Sequence, residues 1–120
     1  MSLFTRLFKS QPGPVIDLDA IQAKARLDQK PHPFLLDVRQ PEEFKEAHIA
    51  GANLIPLGEL SGRLGELPSD QEIIVVCRSG SRSGMAVRQL RSAGYQALNL
   101  RGGLIGWNRN GLPLRSGGRR

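Results

Sequence analysis

Ile73-Ile74-Val75-Val76-Cys77-Arg78-Ser79-Gly80-Ser81-Arg82-Ser83-Gly84 is the stretch around which the chain is organised. The β-branched apolar run reads as a buried strand and ends on the protein's single cysteine. Small residues and two arginines follow, and Met85-Ala86-Val87-Arg88-Gln89-Leu90-Arg91 then reads as a helix. Strand, tight loop and helix in that order point successive backbone N–H groups at one spot, and the helix N-terminus adds partial positive charge there. A thiol at the start of such a loop ionises more readily than a free one, because its thiolate sits in that field. Arg78 and Arg82 push the same way. Cys77 is therefore read as an activated nucleophile facing an anionic substrate. The competing reading, an inert buried cysteine, requires apolar neighbours on both sides and finds them on one only.

Other short apolar runs flank this stretch. Phe34-Leu35-Leu36-Asp37-Val38 reads as a second buried strand, Val15-Ile16 as a short edge strand, and 52–55 and 97–100 as two more. Helices are expected over 17–28 (Asp17 as N-cap, Leu18, Ile21, Ala25 and Leu27 inward), 41–47, 57–64, 83–92 and 103–108. Short strands alternating with helices predict an α/β fold, a mainly parallel five-stranded sheet with helices on both faces. Ligand sites in such sheets lie beyond the carboxyl ends of the strands, which is where Cys77 falls. With 120 residues the chain is one domain. Its expected divisions are a flexible arm over 1–14 ending in Gln11-Pro12-Gly13-Pro14, the folded domain over 15–114 and a basic tail over 115–120.

The net charge is +6, with arginines concentrated on and after the loop and near the C-terminus. Aromatic residues make up only 5%, which argues against a base-stacking nucleic-acid surface. The basic field suits small anions or an acidic protein partner. No apolar run is long enough to span a bilayer. Leu3, Phe4, Leu7 and Phe8 fall on one side of a helix too short for stable membrane association, and the segment lacks the pattern of a secretory leader. A single cysteine makes no internal disulfide and suggests no zinc site, so a reducing compartment, the cytosol, is expected. No apolar stripe asks for a second copy, and a monomer is expected.

Loop length narrows the chemistry. Arginine stands at the fifth position after Cys77 and Ser83 at the sixth, whereas a thiolate phosphatase would place arginine at the sixth, in a loop sized to wrap a phosphate. The shorter loop resembles that of the rhodanese (thiosulfate sulfurtransferase) family. Two further segments resemble that family's signatures: Leu36-Asp37-Val38-Arg39-Gln40-Pro41-Glu42-Glu43-Phe44 with Ala47-His48-Ile49-Ala50-Gly51-Ala52, and Arg101-Gly102-Gly103-Leu104-Ile105-Gly106-Trp107. The resemblance implies a single rhodanese-like domain in which Cys77 takes sulfur from a small anionic donor as a persulfide. Cyanide, a thiol or a protein then accepts that sulfur, without metal or organic cofactor.

For the donor and the persulfide, the expected binding residues are Arg78, Ser79, Gly80, Ser81, Arg82 and Ser83. Their N–H groups form the cradle, and Gly80 permits the tight path. Arg82 is the first choice for a sulfonate and Arg78 the second. Ser83 serves equally well as a helix cap. Arg88 and Arg91 are assigned to a solvated face, and Arg39 to pairing with Glu42 or Glu43, with Asp37 structural or near the site. Scaffold roles are expected for His48, Gly102, Gly103 and Trp107. The rivals are a sulfur relay, a non-catalytic partner-binding module, and an arsenate reductase or phosphatase on the same fold.

Overall fold

The computed structural model describes residues 16–117; the readings placed on 1–14, Val15 and 118–120 lie outside them. Five strands form one sheet: β1 (Asp17–Leu18), β2 (Phe34–Asp37), β3 (Asn53–Leu54), β4 (Glu72–Val76) and β5 (Gln96–Leu100). Their order is β1-β5-β4-β2-β3, and every pairing between them is parallel. Three helices connect them, α1 (Ala20–Leu27), α2 (Pro41–Glu46) and α3 (Ser81–Ser92), and α4 (Gly103–Arg109) follows β5. The expected helix over 57–64 is instead two 3₁₀ segments, Leu57–Gly62 and Leu64–Glu66. Three glycines within ten residues make a long α-helix costly there.

The sheet separates two cores. On one face Ile74 and Val76 of β4 pack with Leu98 and Leu100 against Ala20 and Ala23 of α1, Phe44 of α2, and Leu104 and Trp107 of α4. On the other, Ile73 and Val75 pack with Ala86, Val87 and Leu90 of α3 and Leu60 of the 3₁₀ turn. The four residues Ile73 to Val76 are fully buried, each contributing about 1.5–3 kcal/mol relative to exposure. This two-sided burial explains the unbroken apolar run. Alternation along β4 brings Cys77 onto the α3 face.

Two other boundaries move. α1 is capped by Asp19, not Asp17: its carboxylate accepts from the Gln22 N–H, and the Gln22 side chain accepts from the Asp19 N–H. Asp17 joins Leu18 in β1, so α1 turns Ala20, Ala23 and, as expected, Leu27 to the core, while Ile21 and Ala25 are exposed. Arg91 is half-buried, not solvated, because Nη1 donates to the Ala97 carbonyl at 2.9 Å. Arg88 is exposed as expected.

At the far end of the chain Arg115 bridges to His48 through paired backbone hydrogen bonds of 2.8 and 2.7 Å. None of the helices in the described residues is long and apolar enough to cross a membrane.

Candidate active site

β4 delivers Cys77 to the carboxyl end of the sheet, and the chain then turns through Arg78, Ser79 and Gly80 into α3. Gly80 has φ +102°, a left-handed conformation that favours glycine, and a side chain there would lie 3.2 Å from the Gly102 nitrogen. α3 begins at Ser81, two residues earlier than expected, with Gly80 as its N-cap. Ser83 is therefore not a cap but lies inside the first turn, fully buried.

The turn wraps the sulfur. Cys77 Sγ accepts from the Gly80 N–H at 3.1 Å, the Ser83 N–H at 3.3 Å and lies 3.3 Å from the Ser83 hydroxyl. Burial by itself pushes the thiol's pKa up. The Ser83 hydroxyl and the N–H groups of Ser83, Gly80 and Ser79 push harder the other way, so the thiol ionises below its ordinary range. Cys77 is 1% exposed, so this environment is sheltered from bulk water. Arg78, Ser79 and Ser81 are exposed on the rim.

The back of the loop is fixed by α4. Leu104 N–H donates to the Cys77 carbonyl at 2.9 Å and Ile105 N–H to the Arg78 carbonyl at 3.1 Å. This contact leaves no room for a side chain at Gly103, where φ is +58° and a Cβ would sit 2.6 Å from the Cys77 oxygen. Gly102 is also left-handed, at φ +83°. Both glycines thus serve backbone geometry, as expected of them. Trp107 packs in the core with Nε1 donating to the Pro113 carbonyl.

Two residues not expected beside the loop contact it from neighbouring elements. Asn99 of β5 is 6% exposed; its Oδ1 accepts from the Ser83 hydroxyl at 2.5 Å. Its Nδ2 donates to Asp17 and to the Gly80 carbonyl. The signal was a polar residue two positions after inward-facing Ala97, between the apolar Leu98 and Leu100. The second residue is Glu43, whose carboxylate receives Arg82 Nη1 and Nη2 at 2.8 Å each. The Arg82 hydrogen bonds carry the Glu43 carboxyl down to about 2, and the same contact raises Arg82. Arg82, the first choice for the donor, thus already holds an anion.

Arg39 does not pair with the Glu42 or Glu43 carboxylate. It makes a bidentate contact with Asp37, Nε to Oδ1 at 2.9 Å and Nη2 to Oδ2 at 2.8 Å, and donates to the Glu43 and Ala47 carbonyls. Asp37 is fully buried, and a buried carboxylate takes the nearest cation because leaving it unpaired costs several kcal/mol. His48 is scaffold: Nδ1 donates to the Phe44 carbonyl at 2.8 Å, and its ring stacks on Phe44. A largely apolar concavity of about 480 Å³ lies at the opposite, amino end of the strands, lined by Leu27, Phe34, Leu35, Ile49 and Trp107, away from Cys77.

Comparison with known proteins agrees with this geometry. The chain is 38% identical over 101 residues to a sulfurtransferase of Allochromatium vinosum, spanning 83% of this chain and 94% of that protein. Its fold matches the crystal structure of a rhodanese-related protein from Thermoplasma volcanium with a TM-score of 0.78 at 29% identity, covering 83% of this chain and 97% of the other. It also matches part of a thiosulfate sulfurtransferase from Pseudomonas aeruginosa at a TM-score of 0.81 and 33% identity, covering 88% of this chain and 21% of the larger one. The family model for the rhodanese-like domain fits residues 19–110, from the capping aspartate of α1 to the end of α4, and the chain belongs to that family.

Proposed function

We propose that the protein is a sulfurtransferase that carries a sulfane sulfur on Cys77. The observation that carries this reading is the cradle itself: a buried Sγ within hydrogen-bond reach of two backbone N–H groups and one hydroxyl, in a loop short of the phosphatase length. The thiolate attacks the outer sulfur of thiosulfate. A bond forms between Sγ and that sulfur, while the bond to the sulfonate sulfur breaks and its electron pair leaves on sulfite. The persulfide anion then rests where N–H groups already point, and fixed dipoles hold it without reorganising. A thiophilic acceptor, cyanide or a thiol, takes the outer sulfur and returns Cys77 to thiolate. This is covalent catalysis in two displacements, with no change in net electron count.

Activation belongs to the loop, since His48 is committed to Phe44 and Asp37 to Arg39. Nucleophilicity therefore comes from the lowered thiol pKa and not from a histidine base. A thiol that cycles through a persulfide also suits a reducing compartment.

Intact mass tests the reading. The wild type and Cys77→Ser are incubated with thiosulfate, then with cyanide. A gain of one sulfur on the wild type alone, lost to cyanide as thiocyanate forms, is expected. A folded, reduced wild type that gains no sulfur from thiosulfate or a persulfide donor would refute it, leaving the partner-binding and arsenate readings to be assayed.

A further inference from the structure

The rim of the site carries its cations unequally. Arg78 is exposed, and Arg39 is buried against Asp37. Arg82 lies close enough to Cys77 for the sulfur's charge to bear on it, yet both its Nη groups are held end-on by the Glu43 carboxylate. Glu43 is itself fixed from behind, because Oε1 also accepts the Gln40 N–H at the start of α2. The pair therefore bridges the first turn of α2 to the first turn of α3.

We infer that Glu43 sets the choice of sulfur donor: by engaging the Arg82 guanidinium, it turns the site away from dianionic thiosulfate and toward hydropersulfide donors of lower charge. This inference rests on the sulfur-transfer reading above. Transfer from thiosulfate gathers three negative charges at the encounter, one on Sγ and two on the donor, and sends away sulfite with two. Transfer from a hydropersulfide, RS–SH, forms the Sγ–S bond and breaks the RS–S bond. The electron pair leaves on the thiolate RS⁻, and only one or two negative charges meet. Arg82 would offset the larger charge, but Glu43 cancels it, and the Gly80 and Ser83 N–H groups are already directed at Sγ. A thin, weakly charged RS–SH end needs only the cradle. Glu43 acts through Arg82 and is a positioning residue for specificity.

The test uses the whole chain, with thiosulfate and cysteine hydropersulfide as donors and cyanide as acceptor. Glu43→Gln keeps an oxygen for the Gln40 N–H and removes the charge. It is expected to lower the thiosulfate KM by about fivefold, the scale of one partly exposed charge, with kcat within about twofold. The hydropersulfide KM is expected to stay within about twofold. Arg82→Gln moves the thiosulfate KM the other way, and the double variant Glu43→Gln/Arg82→Gln, with the local charge restored, returns toward wild type. Should Glu43→Gln fold poorly by circular dichroism, Glu43→Ala serves for the same measurement. A thiosulfate KM that stays or rises in the folded variant overturns the inference, as does an equal fall for both donors. Failure of the wild type to load sulfur from either donor is a different result: it removes the sulfur-transfer reading itself.

Discussion

Replacing Gly103 with alanine should damage this protein more than any comparable glycine change. The Cβ would stand 2.6 Å from the Cys77 carbonyl oxygen and press on the Arg78 carbonyl as well. Neither oxygen can retreat freely, because each accepts a hydrogen bond from the first turn of α4. Holding alanine in a left-handed conformation costs about 1–2 kcal/mol, and forcing an extra methyl into a packed site a further ~1–3 kcal/mol. The sum, about 2–5 kcal/mol, corresponds to a fall in melting temperature on the order of 10–20 °C for a domain of this size. Two controls separate the contributions. Gly94 has φ +96° and nothing within 4 Å of its Cβ position, so Gly94→Ala should cost only the conformational part, about 1–2 kcal/mol. Gly58 is equally uncrowded without a positive φ, so Gly58→Ala should be neutral or stabilise by up to ~1 kcal/mol. Urea unfolding of the three variants gives the comparison, and the rate of Cys77 alkylation reports whether the cradle has opened. If Gly103→Ala costs no more than Gly94→Ala, the close approach of α4 to the Cys77 loop does not hold the loop in place.

Alkylation of Cys77 by iodoacetamide should rise with pH and level off below the range of a free thiol, since the cradle favours the thiolate; a profile centred on the free-thiol value of 9.0 would contradict this. Ser83→Ala should shift that profile upward. It should also cost about 1–3 kcal/mol in urea, because buried Asn99 Oδ1 loses its donor; an unmoved profile would place the sulfur's stabilisation in the backbone alone. The Glu43 carboxyl sits at about 2 in the folded chain against 4.5 for the ordinary group, so its contribution is full above pH 4.5 and disappears as pH falls through 2. Solvent screening reduces that contribution to about 1 kcal/mol, read as the wild-type minus Glu43→Gln difference in stability. A difference that persists unchanged through acid would rule the ion pair out as its source. Asp37→Asn leaves the Arg39 guanidinium buried without a countercharge and should cost about 3–5 kcal/mol; a loss below about 1 kcal/mol would show that the Glu43 and Ala47 carbonyls suffice.

Local chemistry made much of this molecule legible before any coordinates. A β-branched run ending on cysteine, glycine three residues on, and a helix after it carry their own geometry, and Pro41 at the start of α2 does likewise. The α1 cap was also legible, since Asp19 and Gln22 have capping-box spacing and Asp17 lacks it, but two aspartates two residues apart look alike if only the cap position is weighed. The partner of Arg82 was not legible. Glu43 lies 39 residues away and reaches Arg82 only because α2 and α3 follow neighbouring strands β2 and β4. The partner of Arg39 is ambiguous in the sequence, which offers three acidic neighbours, and burial of Asp37 decides between them. Asn99 needed both the strand's facing and the depth of α3 against it.

The groups that hold Sγ are, apart from one hydroxyl, main-chain N–H groups. Substitution cannot delete a main-chain donor short of introducing proline; it can only move the backbone that carries it. Side chains at Arg78, Ser79 and Ser81 stand outside that framework, on the exposed rim. Mutational drift can therefore rewrite what the site meets at its entrance while the reactive atom keeps its surroundings. The positions intolerant of drift are the ones with the least side chain, Gly80 and Gly103. One scaffold can in this way present different entrances to the same buried sulfur.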